Sequence, residues 1–299
     1  MSLKQRLFIF NAVLLMIVLG VLSGIAYWQM HMEIVDGVRQ EIKTAANSNR
    51  NVMAHWIAQR RAAIEAVAAM LPLADDPIPF LQAGRDAGNF FQTYVGTEDK
   101  RMVYHLVEKK PFPDYDPTAR PWYKQASEEK GTVITPPYIL ATTNSLGITV
   151  AYPVASQVPG VVGGDISLEE IIQLVNAIEL RGQGYALLST RDGIIVAHPT
   201  PHSELKPVAE VMPGFDVSIL KTADDRINVH EFNIEDVPKY VAALPIPGAD
   251  WVLCIVVDKA SVLSPLRSLL WGLVFVGLAI AAIGAPVINL VLSKLLRPQ

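Results

Sequence analysis

Two uncharged apolar runs bracket a chain whose interior changes from a helical to a strand periodicity. Leu7 to Trp28 is about 22 residues without a charge, and Leu269 to Leu292 about 24. Each is long enough to cross a hydrocarbon core of roughly 30 Å as a helix. From Gln29 to about Met70, glycine and proline are almost absent. Ile34, Val38 and Ile42 recur every four residues, and Trp56, Ile57, Ile64 and Val67 continue an apolar face. The spacing predicts one long helix leading out of the first apolar run, with Arg60 and Arg61 on its wetter side. Its more polar half, nearest the apolar run, is suited to pairing with a second copy of itself. Pro72, Asp75, Asp76, Pro77 and Pro79 then mark a loop.

Beyond that loop the apolar period falls to two. Phe90 to Val95 and Arg101 to Val107 read as strands joined by the acidic turn Gly96-Thr97-Glu98-Asp99-Lys100. A proline-rich segment and a short helix near Trp122 to Glu129 follow. Gly147 to Val154 and Val161 to Ile166 are two further strands, and Ser167-Leu168-Glu169-Glu170 has the capping-box spacing that opens a helix to about Ile178. The second half repeats the plan in shorter form. Tyr185 to Ser189 and Ile194 to Ala197 flank the turn Thr190-Arg191-Asp192-Gly193. Tyr240 to Ile246 parallels Thr149 to Val154, and Trp251 to Asp258 parallels Val161 to Asp165, with Ser261 placed as Ser167 is and Asp258 as Asp165 is. The pattern predicts an α+β chain, a long N-terminal helix carrying two stacked antiparallel-sheet modules between two transmembrane helices. The first module has its large insertion between its second and third strands; the second has a different one, Thr200 to Val229. The boundaries read as 1–6 cytoplasmic, 7–28 first transmembrane helix, 29–75 stalk helix, 76–178 first module, 179–260 second module, 261–268 juxtamembrane segment, 269–292 second transmembrane helix and 293–299 cytoplasmic stub.

Charge orients this plan. Lys4 and Arg6 precede the first apolar run, and Lys294 and Arg297 follow the second, which puts both ends inside and the middle outside. A cleaved signal peptide is the rival reading of the first run. Its length and the poor cleavage site in Gly24-Ile25-Ala26-Tyr27-Trp28 oppose that. Removing those four basic residues from the 25 Lys and Arg leaves 21 against 29 Asp and Glu, about −8 for the middle of the chain. That balance argues against nucleic acid as a partner. The single cysteine, Cys254, has apolar neighbours on both sides and reads as a buried, inert strand thiol.

Candidate chemistry gathers in the first module's insertion, Tyr115-Asp116-Pro117-Thr118-Ala119-Arg120-Pro121-Trp122-Tyr123. Arg120 is a permanent cation whose forked donors fit a carboxylate in two places. Trp122 can add its indole N–H and Tyr115 a hydroxyl. Asp165 can accept from an ammonium, with Tyr123 and Tyr138 assisting through hydroxyls or ring faces. Gly163 and Gly164 would let a ligand approach the backbone. The set suits a small zwitterion, both charges of which need partners when buried. Taken singly, Arg120 could equally pair with Asp114 or Asp116, Trp122 could be core, Asp165 could end a strand structurally as Asp258 would, and Tyr138 could brace a turn. His31, His55, His105, His198, His202 and His230 show no metal-ligand spacing. No nucleophile–base motif, phosphate-binding loop or dinucleotide fingerprint occurs, so neither an enzymatic activity, a cofactor nor a metal is expected.

The anchor–long helix–double module–anchor plan, with Tyr115, Arg120, Trp122, Tyr123 and Asp165, resembles the double Cache sensory domain of bacterial methyl-accepting chemotaxis receptors. Further matches are Trp56-Ile57-Ala58-Gln59-Arg60-Arg61, Gly184-Tyr185 to His198-Pro199, and Pro247-Gly248-Ala249-Asp250-Trp251. The resemblance implies PAS-like modules, a periplasmic sensor in the bacterial inner membrane, and a homodimer formed through stalk and transmembrane helices in contact with membrane lipid. It is to the amino-acid-sensing subset, in which residues matching Arg120, Trp122 and Tyr115 hold the ligand carboxylate and those matching Tyr123 and Asp165 its amino group. That subset often carries an Asp two residues after the Tyr matching Tyr138, where this chain has Leu140. An amine, a purine or an organic acid is therefore the alternative ligand. Leu295-Leu296-Arg297-Pro298 resembles the entrance to a HAMP module, so cytoplasmic signalling partners would be reached only through a C-terminal output region for chemotaxis, a histidine kinase or a cyclic-dinucleotide enzyme. A membrane-bound hydrolase and an assembly module that docks a periplasmic binding protein are the readings from other classes.

Overall fold

The longest element follows directly from composition. Helix α1 (Leu3–Met70) is 68 residues long and contains no proline. It ends where Leu71 precedes Pro72, since proline disfavours helical backbone in the residue before it; Leu71–Leu73 is a 3-10 turn. The computed structural model describes residues 3–106, 108, 114–155, 158–178, 180 and 184–295. Val107 at the end of an expected strand, Glu179 at the expected module boundary and the Leu296-Arg297-Pro298 part of the HAMP-like run lie outside these residues. The chain divides into two compact units, residues 42–257 and residues 1–41 with 258–299.

Within the unit 42–257, α1 buries Ile42, Ala46, Met53, Ile57, Ile64 and Val67, one stripe at helical spacing. Arg60 belongs to this stripe and not to a wetter side, being 3% exposed. Its guanidinium lies 3.7 Å over the Trp56 ring and donates to Glu170 at 2.5 Å. A neutralising carboxylate and an aromatic face make its burial tolerable. Burial still lowers its pKa, against the opposing pull of Glu170. Arg61 donates to the Gly248 carbonyl at 2.9 Å. The proline-rich stretch after α1 is only partly loop. Helix α2 (Ile78–Gly88) starts immediately after Pro77 and takes Pro79 into its first turn, where a missing N–H costs nothing.

The first sheet is built from β1 (Gln92–Thr97), β2 (Met102–Tyr104), β3 (Val133–Ile134), β4 (Tyr138–Ile139), β5 (Leu146–Val154) and β6 (Gly160–Ser167). Its order is β2-β1-β6-β5-β3, with β4 also on β5, and its pairings are antiparallel. Helix α3 (Pro121–Glu129) packs on this sheet. Helix α4 (Leu168–Asn176) follows β6 directly, capped by Ser167, whose hydroxyl accepts from the Glu170 N–H at 3.3 Å. The second sheet contains β7 (Gly184–Thr190), β8 (Ile195–Ala197), β9 (Val229–Ile234), β10 (Val237–Ile246) and β11 (Trp251–Asp258), in the order β8-β7-β11-β10-β9. The insertion expected from Thr200 to Val229 holds two short helices, α5 (Val208–Val211) and α6 (Ser218–Lys221). In both sheets the first strand lies between the second and the last, so the two modules share one topology, the PAS-like plan of an α+β fold. Cys254 is fully buried in the second core, which drives its thiol pKa far upward, as an inert thiol requires.

In the other unit, α1 contains one stretch long and apolar enough to cross a membrane. Helix α7 (Lys259–Leu295) contains a shorter apolar run, Leu270–Gly284, among the described residues. Phe10, Trp28, Trp271 and Phe275 are all exposed by more than half.

Candidate functional site

The site is assembled by strand register. Asp165 on β6 lies between Gln92 on β1 and Thr149 on β5, its direct cross-strand partners. Side chains directly opposite one another share a face, so these three polar groups converge. Two pairs further along, and so on the same face, Tyr94 is opposite Gly163. A Cβ on Gly163 would sit 2.6 Å from the Tyr94 ring. The glycine thus lets that ring lie flat over the sheet and reach Asp165. Gly164 makes the same allowance on the opposite face for Phe90, at 2.7 Å. The space expected beside these glycines for a ligand is therefore filled by the protein's own rings.

Asp165 is 2% exposed and well supplied with donors. Its Oδ1 accepts from the Tyr94 and Thr149 hydroxyls, each at 2.6 Å, and its Oδ2 from the Gln92 amide at 2.6 Å. The Tyr138 hydroxyl is 2.5 Å from that of Thr149 and extends the network. Burial and the Asp165 charge both hold the Tyr94 phenol protonated, its pKa well above the ordinary value. Burial does the same to Tyr138, with Asp165 adding to it.

Arg120 approaches from the other side. It precedes Pro121 and is extended, capping α3 at φ −80° and ψ 150°. Asp116 is not its partner: Asp116 accepts from the Thr118 N–H and pairs with Lys100 at 2.8 Å, which lowers its pKa to about 2. Arg120 instead donates through Nη2 to the Ile139 carbonyl at 3.0 Å and holds its guanidinium carbon 5.6 Å from the Tyr138 ring centre. Its Nε is buried and has no hydrogen-bond partner among the described residues. Trp122 is 1% exposed and meets Tyr94 edge-on at 5.0 Å between ring centres. Burial raises the pKa of the Tyr115 phenol, while hydrogen bonding to Trp122 and the Arg120 charge pull it back.

Tyr115, Arg120, Trp122, Tyr138 and Asp165 line one cavity, which also touches Gln92, Tyr94 and Thr142. Its free volume is about 10 Å³, on the order of one water-sized sphere. Tyr123, next to Trp122 on α3, lines a different groove with Glu65 and Tyr152. Leu140 is buried against Gly147, where a Cβ would lie 2.5 Å from its Cδ1, and does not line the cavity. Asp258 is not the counterpart of Asp165. It ends β11 and caps α7 by accepting from the Ala260 N–H at 2.8 Å, the position Ser167 has after β6. Gln92, Tyr94 and Thr149 carry no sequence motif; Gln92 and Tyr94 alternate along β1, and Thr149 is a single polar residue between Ile148 and Val150. Among the described residues no three His, Cys, Asp or Glu are grouped as metal ligands.

The profile of the Cache domain family matches residues 26–266, which takes in both sheets and α1 from Ala26 onward. The chain belongs to the Cache domain family. The methyl-accepting chemotaxis protein PscA of Pseudomonas syringae pv. tomato is 26% identical over 267 residues, 86% of this chain. PctB of Pseudomonas aeruginosa, another methyl-accepting chemotaxis protein, is 30% identical over 213 residues, 69% of this chain. The chain spans 41% and 33% of the lengths of these two relatives. Among solved structures, the ligand-binding domain of the Pseudomonas fluorescens chemoreceptor CtaA with L-isoleucine aligns at a TM-score of 0.66 and 26% identity, covering 79% of this chain and 98% of that one. The ligand-binding domain of the P. aeruginosa amino-acid chemoreceptor PctB with L-Arg aligns at 0.61 and 27%, covering 77% and 97%. This Cache chain is thus homologous to the ligand-binding domains of chemoreceptors.

Proposed function

We propose that the chain is the extracytoplasmic sensor region of a chemotaxis transducer and that its first module binds a free amino acid. One observation carries this reading: a guanidinium, Arg120, and a carboxylate, Asp165, border the same enclosed space between aromatic walls. Arg120, Trp122 and Tyr115 face the ligand carboxylate, and Asp165, assisted by Tyr138, takes the ammonium. Tyr123 acts from behind Trp122, its ring 5.6 Å from the indole. The solved relatives hold amino acids in domains of this fold, which supports the ligand class.

The remainder follows from the family and from the apolar ends. The two long helices each cross the inner membrane, at 7–28 and 269–292, and the modules at 76–178 and 179–260 lie outside it, the first farther from the bilayer. Two copies associate through the stalk, residues 29–75, and the membrane helices. Ligand favours one arrangement of the first module over another, and that difference in affinity is all it can transmit. The shift reaches the membrane through the second module and residues 261–268, and from there an output region.

The test is a thermal-shift screen of the full chain in lipid nanodiscs against amino acids, amines, purines and organic acids. A ligand at 100 times its dissociation constant adds roughly 2.7 kcal/mol of stability. Arg120→Ala removes the response to carboxylate ligands. If Arg120→Ala and Asp165→Ala both bind as the parent does, the site is elsewhere.

A further inference from the structure

Gln92 stands between two spaces. The residue lines the closed cavity and also an outer cleft of about 510 Å³ between α2 and the segment after β2. The residue itself is 2% exposed. Its amide nitrogen donates to Asp165 Oδ2 at 2.6 Å and to Thr142 Oγ1 at 2.8 Å. At Oδ2 the amide therefore occupies the place an ammonium would take.

The donors at Oδ1 are less free to leave. Tyr94 is wedged between Tyr104 and Trp122, at 5.9 and 5.0 Å between ring centres. Thr149 is short and sits in mid-strand. Gln92 has a long, rotatable side chain beside an open cleft. The inner cavity, at about 10 Å³, cannot take even glycine unless one of its walls moves.

Building on the amino-acid reading above, we propose that the ligand enters through the outer cleft, displaces the Gln92 amide from Asp165, and leaves its own side chain in the cleft against Phe91 and Leu106. Those two residues are 51% and 50% exposed and give the cleft an apolar wall. The charges beside them, Arg85 and Asp86, pair with each other at 2.8 Å. An uncharged aliphatic side chain gains by covering Phe91 and Leu106. A charged one must break the Arg85–Asp86 pair or stay solvated. Gln92 is thus a gate, and Phe91 and Leu106 set the choice of side chain.

The experiment is calorimetric and stopped-flow titration of the full chain in nanodiscs with glycine, L-leucine and L-lysine. Leucine binds at least about tenfold more tightly than glycine, the low end of what a single methylene contributes in an apolar pocket, and lysine binds more weakly than leucine. Phe91→Ala removes the leucine advantage and leaves glycine unchanged. Gln92→Ala speeds glycine association, because no internal donor has to leave. Gln92→Met, which keeps the volume and lacks the donor, does the same and guards against a loss of fold. Equal binding of glycine and leucine, a leucine-to-glycine ratio untouched by Phe91→Ala, or association rates unchanged in both Gln92 variants overturns the inference while leaving the amino-acid reading in place. A parent chain that binds none of the three overturns both.

Discussion

At the scale of single residues, the account rests on how one buried carboxylate is held. Asp165 gathers Tyr94, Thr149 and Gln92 around it. Asp165→Ala strands those buried donors, which costs about 1–3 kcal/mol for an unsatisfied group, read as a lower urea midpoint. Asp165→Asn keeps the shape and should melt closer to the parent, yet lose amino-acid binding with the charge. His198, in the second module, gives a pH prediction. Its Nδ1 accepts from the Thr200 N–H at 2.9 Å, its Nε2 is buried with no partner among the described residues, and burial lowers its pKa below 6.5. Glu235 and Glu204 oppose that shift, and Lys239 adds to it. The unfolded chain binds this proton more readily than the folded one, so acidification below about 6.5 draws the equilibrium toward unfolding. In His198→Asn, whose side-chain oxygen can replace Nδ1 as acceptor, the melting temperature should fall less between pH 7.5 and 5.5 than in the parent. An equal fall in both chains would show that other groups set that pH dependence. The residues around Asp165 also show why the site was only half legible in the chain. Arg120 and Trp122 stand two apart in one short motif at the start of α3 and announce themselves, whereas Gln92 and Thr149 meet Asp165 only through register, 73 and 16 positions away.

At the scale of elements, the long helix and the strands joined by tight turns were readable because their periods are clean. The start of α2 was not, since Pro77 and Pro79 signal a break except at the first turn of a helix. Strand β9 was missed because its mostly half-covered and exposed positions weaken the alternation. Strands β3 and β4, of two residues each, have no period to detect. The burial of Arg60 is a tertiary fact, set by Glu170 on α4, 110 residues away. Arg60→Ala removes both the ion pair and the packing under Trp56, and should cost about 3 kcal/mol. Arg60→Met keeps the packing and leaves Glu170, whose side chain is 33% exposed, to be solvated, so it should cost distinctly less. Equal losses would mean that the charge pair, and not the stem, dominates. On β6, Gly164→Ala drives a methyl into Phe90, an overpacking worth roughly 1–3 kcal/mol. A melting temperature unchanged by it would show the ring to be freely displaced.

At the scale of the whole molecule, the repeated strand order was foreshadowed by the second half restating the first. At one point the repeat is out of step: Asp258 stands where Ser167 does, as a helix cap, and not where Asp165 does, although the structural role expected of it holds. The shared topology thus carries a polar cluster in the first module whose place in the second is taken by an apolar core around Leu187, Val252 and Cys254. Membrane passage and pairing are proposals at this scale, and each has its own check. Washing membranes that contain the full chain with alkaline carbonate should leave it in the pellet; release into the supernatant would contradict a spanning helix. Val38→Cys on the polar, membrane-near half of α1 should give a disulfide-linked dimer on mild oxidation, and a chain that stays monomeric would argue against pairing through the stalk.

The claim on which the function depends is that the first module reads both charges of one small molecule. It is tested most directly by titrating the full chain with L-alanine, L-alaninamide and L-lactate, which share a carbon skeleton and differ in the carboxylate or the ammonium. The account predicts that alanine binds and that each analogue lacking one charge is weaker by at least about tenfold, a modest share of what leaving one buried charge unpaired costs. Lactate or alaninamide binding as tightly as alanine would contradict it.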